Sequence, residues 1–262
     1  MFIQFLSNSF ISPQTVKNYL SGAKNYALER GWNYIPFTSS MIRNMVRGVE
    51  RLSKHSVSQA PALTVPFIKR MCDSFRKMGL LGHVIASMIL FVFASYVRQS
   101  NVAFTPDGFI HMIKRNDVRF SNNHMWITIH STKTISPTQG VVIPIRKTSS
   151  KYCPVAAYIY VLGITPTSYN TDLFLDPLNM TPLHAVKVNM LMRAVATSLG
   201  HPLAKAISLH SLRRSAALAC ASLGISELEI KEHGTWKSGA VYSYVPKIIF
   251  TKVPGAVANL LQ

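Results

Sequence analysis

Acidic residues are scarce in this chain. Its 262 residues include 10 Asp plus Glu against 28 Lys plus Arg, a formal net charge of +18. The acids are Glu29, Glu50, Asp73, Asp107, Asp117, Asp172, Asp176, Glu227, Glu229 and Glu232. A two-metal nuclease or transposase needs roughly two or three carboxylates converging on Mg²⁺. Glu227, Glu229 and Glu232 form the one sequence cluster, and their spacing suits a solvated helix face better than a metal cage. Metal-dependent phosphoryl transfer is thereby disfavoured, although distant Asp residues could converge in space. No metal site and no cofactor is expected.

Cysteine is also sparse. Cys72, Cys153 and Cys220 are far apart and odd in number, with no zinc spacing. That fits a reducing compartment and free, mostly buried thiols. The longest apolar run, Val84 to Val97, is short for a bilayer and reads as a buried core helix. The start of the chain lacks a basic n-region and a cleavage site, which predicts no secretory signal. No internal repeat or low-complexity tract is visible. The expectation is an intracellular protein without membrane partners, nuclear if its host is eukaryotic.

What is plentiful is positive charge on apolar-patterned sequence. Hydrophobic residues make up 48% of the chain, enough for a packed core. The basic residues are scattered and form no tail, so the charge points to a polyanion such as a nucleic-acid backbone. A basic structural RNA-binding protein would share this balance.

Capping and periodicity divide the chain. Ser12 is a plausible N-cap and Pro13 a plausible first residue for a helix to Glu29. Val16, Tyr19, Leu20, Ala23 and Ala27 fall on its apolar face. A second helix fits Ser39 to Leu52, with Met41, Met45, Val46 and Val49 inward and Arg43, Arg47 and Arg51 outward. Ser53 to Pro61 reads as a linker. The organisation expected is a small helical domain, 1–56, and a larger one, 57–262. The larger part predicts helices at Val65–Met78 and Leu80–Arg98. Strands follow at Met125–His130 and Val141–Ile145, forming a hairpin with Lys133 near its turn. Asp107 to Val118 is a further strand candidate. Further helices are expected from Met180 to Leu199, Leu209 to Leu223, Ser226 to His233 and Ser238 to Tyr244.

The chemistry-bearing stretch is His210-Ser211-Leu212-Arg213-Arg214. His210 and Arg213 stand one helical turn apart and share a face. Ser208 is a plausible cap, and the helix start adds partial positive charge toward a phosphate. Alone, such a pair reads better as a capping His and a solvated Arg. Arg98 closes the long apolar run and must pair, bind an anion or reach water. A phenol can attack a phosphodiester when cations hold the phosphate, and Tyr242 and Tyr244 lie near the chain's end.

In order, these residues are Arg98, Lys133, His210, Arg213, Trp236 and Tyr244. The order resembles that of the tyrosine recombinase (phage integrase) family: an Arg, a hairpin Lys, His-x-x-Arg, His or Trp, then the nucleophilic Tyr. Local strings match too, at 97–101, 129–134 and 227–238. The last is closest to recombinases of eukaryotic DIRS-like and Crypton-like mobile elements. Ser12 to Gly22 looks like the start of the family's helical core-binding domain. The start is abrupt, so truncation of that domain is expected.

The resemblance implies a mainly α fold with a small antiparallel sheet, in which the helical core-binding domain and the catalytic domain form a C-shaped DNA clamp. It implies site-specific DNA strand cleavage and rejoining through a 3′-phosphotyrosyl link, without metal. Arg98 and Arg213 would clamp the phosphate oxygens. His210 and Trp236 would donate to or pack the phosphate and nucleophile. Lys133 would be the general acid for the 5′-oxygen, and Tyr244 the nucleophile. Tyr242 competes for that role but stands too near Trp236 for the family's spacing. His233 could replace Trp236 as donor. Asn101 stands where many members carry an acid.

Lys17, Lys24, Arg43, Arg47, Arg214, Lys231 and Lys237 are candidates for DNA-backbone contacts, each equally readable as a solvated charge. Double-stranded DNA is the implied partner, with self-association as a tetramer on DNA. The tail from Lys247 to Gln262 is apolar enough to dock on a neighbour or on its own domain. A catalytically inactive DNA-binding relative and a type IB topoisomerase remain as alternatives.

Overall fold

The structure is a computed structural model, and it describes residues 12–52, 60–105, 112–130, 140–236, 239–246 and 249. The chain divides into two compact units, Met1–Ser58 and Gln59–Gln262.

The first unit contains α1 (Pro13–Glu29) and α2 (Ser40–Leu52), joined through a 3-10 turn at Ile35–Thr38. Ser12 Oγ accepts from the Thr15 amide at 3.1 Å, and Pro13 opens the helix where no amide is needed. Ser39 Oγ accepts from the Ile42 amide and caps α2 in the same way. Val16, Leu20 and Val46 form the core, with Phe37, Ile42, Met45 and Val49 packed on it. Tyr19 and Met41, expected inward, are 54% and 71% exposed. Two helices bury only a narrow stripe on each other, and these side chains lie beside it. Arg43, Arg47 and Arg51 face outward as expected. The expected linker, at 53–59, lies outside the described residues.

The second unit is built around α4 (Gly79–Ser95), which runs beside α3 (Val65–Arg76). Apolar nearly all round, α4 is buried on most of its surface. Gly82 lets it approach α3 closely: a Cβ there would stand 1.9 Å from the Phe75 carbonyl oxygen. The helix stops at Ser95, three residues short of the expected Arg98, because Tyr96 turns left-handed at φ 55. Arg98 therefore does not end the long helix. It is the N-cap of the single turn α5 (Gln99–Val102).

A 3-10 turn at Arg115–Asp117 leads into an antiparallel sheet of β1 (Val118–Ser121), β2 (His124–Ile129) and β3 (Val141–Arg146), in that order. The strand candidate ending at Val118 is thus displaced, with the strand starting there. Ile127 faces Val118 on one side and Ile143 on the other. Met125, Ile127, Ile129, Ile143 and Ile145 alternate into the core. The segment between β2 and β3, which carries Lys133, lies outside the described residues.

Four helices complete the unit: α6 (Pro154–Ile164), α7 (Ala185–Ser198), α8 (Leu209–Ser222) and α9 (Glu227–His233). The helix expected from Met180 begins only at Ala185. Residues before it are held out of the helix by a left-handed Met180, by a bridge between Leu175 and Pro182 and by the Asp176 amide donating to the Thr181 carbonyl. Gly224 follows α8 at φ +85, a conformation glycine adopts freely. Ser226 and Glu229 form a reciprocal capping box at α9. The last expected helix is a 3-10 turn at Gly239–Ser243. Among the described residues no helix is long and apolar enough to cross a membrane.

Candidate active site

Helix α8 carries the site. Ser208 is its N-cap, with its amide donating to Ser211 Oγ at 3.2 Å. One turn later Arg213 points inward and is 2% exposed. A guanidinium this deep needs acceptors. NH1 donates to the Tyr96 carbonyl, and NH2 to the Gly234 carbonyl at 2.5 Å. Nε is buried and has no hydrogen-bond partner among the described residues. Trp236 covers one part of the cation, its ring centroid 4.2 Å from Cζ, and Tyr244 lies at 5.8 Å. Burial, reinforced by the nearby Arg98 charge, pulls the Arg213 guanidinium down to about 10.

The other walls come from two further segments. After α9, Thr235 turns left-handed at φ 57, and the Trp236 amide returns to the Lys231 carbonyl at 2.9 Å. This turn aims the Gly234 carbonyl at Arg213 and lays the indole back over residue 234. Only glycine fits there, since a Cβ on Gly234 would stand 1.9 Å from Cζ3 of Trp236. Val241 in the following 3-10 turn and Val245 just after it are fully buried against Tyr96, Ala216, Ala217, Ala221 and Ile230. They fix Tyr244 between them, and its amide donates to the Val241 carbonyl at 2.9 Å.

The Tyr244 hydroxyl lies 2.9 Å from Nε2 of His210, with the two rings 5.2 Å apart and the Trp236 ring 5.0 Å from Tyr244. Burial, then Arg213, Arg98 and Arg214, hold the imidazole below its ordinary value. It is therefore neutral near pH 7, and Nε2 can accept from the phenol. Arg98 is half-buried. Desolvation lowers its pKa, and Tyr244 opposes that shift, so the two residues feel each other across the site.

The structure thus brings together Arg98, His210, Arg213, Trp236 and Tyr244. Lys133 lies outside the described residues. Tyr242 is turned away, donating to Glu227 Oε1 at 2.7 Å. His233, weighed as an alternative donor, is engaged through Nε2 with the Ala94 carbonyl at 2.9 Å. Asn101 is buried and donates its amide to the Arg98 carbonyl. Sequence reasoning did not anticipate the two carbonyl acceptors, of Tyr96 and Gly234. The turn residue Gly234 before Trp236 was a visible signal for one of them.

The candidate backbone contacts are dispersed. Lys17 is ion-paired with Glu50 at 2.5 Å, and Lys24 lies 5.6 Å from the Tyr34 ring centroid. Arg43 and Arg47 are exposed on α2. Arg214 donates to the Ala60 carbonyl at 3.4 Å. Lys231 pairs with Glu227 at 2.5 Å, one turn away on α9. Lys237 lies outside the described residues. Among the described residues no group of three or more His, Cys, Asp or Glu could hold a metal ion. Of the tail, Ile249 is described, and it packs on the cluster that holds Trp236 and Tyr244.

No protein-family model matches the sequence, and no curated protein does. Solved structures do match the fold. The Tn1549 transposon integrase in complex with circular intermediate DNA superposes with a TM-score of 0.60 at 14% identity, covering 93% of this chain and 78% of that one. The XerH site-specific recombinase, in a post-cleavage complex with its difH substrate, gives 0.55 at 12% identity, covering 82% and 55%. A lambda integrase dimer bound to a COC′ core site gives 0.55 at 16%, covering 92% and 63%. This chain therefore spans little more than half the length of the XerH chain. It has the mainly helical fold with a small three-stranded antiparallel sheet that is the catalytic fold of the tyrosine recombinases.

Proposed function

We propose that this chain is a tyrosine-type DNA recombinase that cleaves and rejoins strands through a 3′-phosphotyrosyl intermediate. The observation that carries the reading is the Tyr244 hydroxyl held 2.9 Å from a neutral His210, beside the buried Arg213. A phenol, a proton acceptor and a fixed positive charge are the parts that in-line attack on a phosphodiester requires.

In this reading Tyr244 Oη bonds to phosphorus while the bond from phosphorus to the 5′-oxygen breaks. The phenolic proton passes to His210 Nε2. The departing oxygen takes a proton from Lys133, the role its hairpin position and the family order suggest. Arg98 and the remaining N–H groups of Arg213 neutralise the charge that grows on the non-bridging oxygens. Reversal by a 5′-hydroxyl rejoins the strand, and the bond energy is conserved throughout. Duplex DNA as the partner is supported by the +18 charge and by the DNA present in the solved structures of similar fold. Assembly as a tetramer on DNA belongs to the same reading. The order of residues in 227–238 favours a DIRS-like or Crypton-like mobile-element recombinase, with 1–56 as its core-binding domain and 57–262 as its catalytic domain.

The test is a suicide-substrate trap. The protein is incubated with nicked duplex carrying candidate element ends, and an SDS-resistant protein–DNA band is sought for wild type, Tyr244→Phe and Tyr242→Phe. A band lost only in Tyr244→Phe supports the reading. No band, with binding to a verified site intact, establishes an inactive DNA-binding relative.

A further inference from the structure

Tyr96 ends α4 in the left-handed region at φ 55. A residue with a Cβ persists there only when its surroundings hold it. Here they do so from both ends of the residue. The ring is buried, and its hydroxyl donates to the Ala216 carbonyl at 3.0 Å. Its own carbonyl accepts from Arg213 NH1. Ala216 and Arg213 are one turn apart on α8, so Tyr96 is fastened to a single helix by side chain and backbone together. The ring also meets His233 edge-on at 4.7 Å and Trp236 at 6.2 Å. Two residues on stands Arg98.

The left-handed turn is what points this carbonyl at α8. A helical residue 96 would continue α4 and aim its carbonyl along the helix axis. Burial pushes the hydroxyl far up, so it stays a neutral donor and exchanges no proton.

We propose that Tyr96 is a positioning residue, a peg that locks the Arg98 turn onto α8 and thereby sets the place of Arg213 relative to Arg98. The proposal rests on the recombinase reading for its catalytic consequence, though not for the geometry itself.

Two variants test it. Tyr96→Phe removes only the hydroxyl. Tyr96→Asn keeps a residue tolerant of the left-handed region but removes the ring. Four quantities are measured: single-turnover adduct formation at saturating DNA, DNA affinity, Tm, and the ¹⁵N resonance of the Arg213 Nε–H in free protein, assigned by its loss in Arg213→Lys. Tyr96→Phe is expected to slow adduct formation about tenfold or more, the scale of a slightly misplaced catalytic group. Affinity and Tm change little, the pH profile of the residual rate matches wild type, and the resonance moves. Tyr96→Asn is slower still. A wild-type rate in Tyr96→Phe, an unmoved resonance, or a rate loss that tracks the unfolded fraction overturns the assignment. If wild type itself forms no adduct, the recombinase reading fails, while the resonance still decides whether the peg holds Arg213.

Discussion

The hydroxyl of Tyr244 and Nε2 of His210 lie 2.9 Å apart, and burial together with the surrounding cations keeps that imidazole uncharged. The pair is thus set for a proton to move from phenol to ring. The folded-state pKa of His210 lies below its ordinary value of 6.5. Above about pH 6.5 both folded and unfolded chains hold it neutral, and it adds no pH dependence. As pH falls below that point the unfolded chain takes up the proton first, and stability is lost. Thermal melts between pH 5 and 8 are expected to show this acid-side loss in wild type, and His210→Gln to flatten it. A slope unchanged in His210→Gln would assign the acid loss elsewhere.

Replacing Tyr244 with Phe removes the phenol that, among the described residues, faces His210. Adduct formation should vanish while DNA binding stays intact. Tyr242→Phe should retain the adduct, because its hydroxyl is spent on Glu227. Denaturing gels of trapped complexes separate the two outcomes, and an adduct surviving in Tyr244→Phe overturns the assignment of the nucleophile.

Arg213 holds the site together as well as charging it. Arg213→Ala strands the carbonyls of Tyr96 and Gly234 and exposes a cavity beneath Trp236. Two hydrogen bonds from a charged donor are worth about 3–6 kcal/mol together, so urea unfolding should register a loss of that order. Arg213→Lys keeps the charge but cannot span both carbonyls, and should recover only part of the stability. Full recovery in Arg213→Lys would mean that the fork geometry is dispensable.

Gly234→Ala is the smallest change that should disturb the site. Its Cβ would fall on the Trp236 ring, which must leave Arg213 and Tyr244. Overpacking of this kind costs about 1–3 kcal/mol. Tryptophan fluorescence should shift, and cleavage should fall by more than the melting temperature explains. An unchanged emission spectrum would show that the loop absorbs the methyl group elsewhere.

The charge that would stabilise the reaction comes from guanidinium groups. Adduct formation is therefore expected to persist in excess EDTA. DNA affinity should fall steeply with salt, as a chain of this net charge releases counterions on binding. A requirement for Mg²⁺ that survives at saturating DNA would contradict the mechanism.

Much of this molecule was legible along the chain because the relevant physics is local. Ser12 with Pro13 marks a helix start, and the cap is a hydrogen bond made within three residues. The alternation in 125–129 and 141–145 marks the hairpin strands, and the two-residue turn of β1 into β2 was missed because β1 is only four residues long. The order Arg98, Lys133, His210, Arg213, Trp236, Tyr244 resembled that of one family and so suggested its chemistry, since side-chain identity is written in the sequence.

Which of these side chains meet was decided only by the tertiary structure. Family spacing favoured Tyr244 over Tyr242, but that Tyr244 meets His210 while Tyr242 turns to Glu227 depends on a turn fixed by the buried Val241 and Val245. The acceptors of Arg213 are backbone carbonyls, which every residue carries, and only Gly234 before Trp236 left a local sign of one of them. Their direction depends on left-handed turns at Tyr96 and Thr235, two residues without the usual glycine signal. Such turns form because long-range packing onto α8 outweighs the local preference of the chain, and that balance is not set within any one segment.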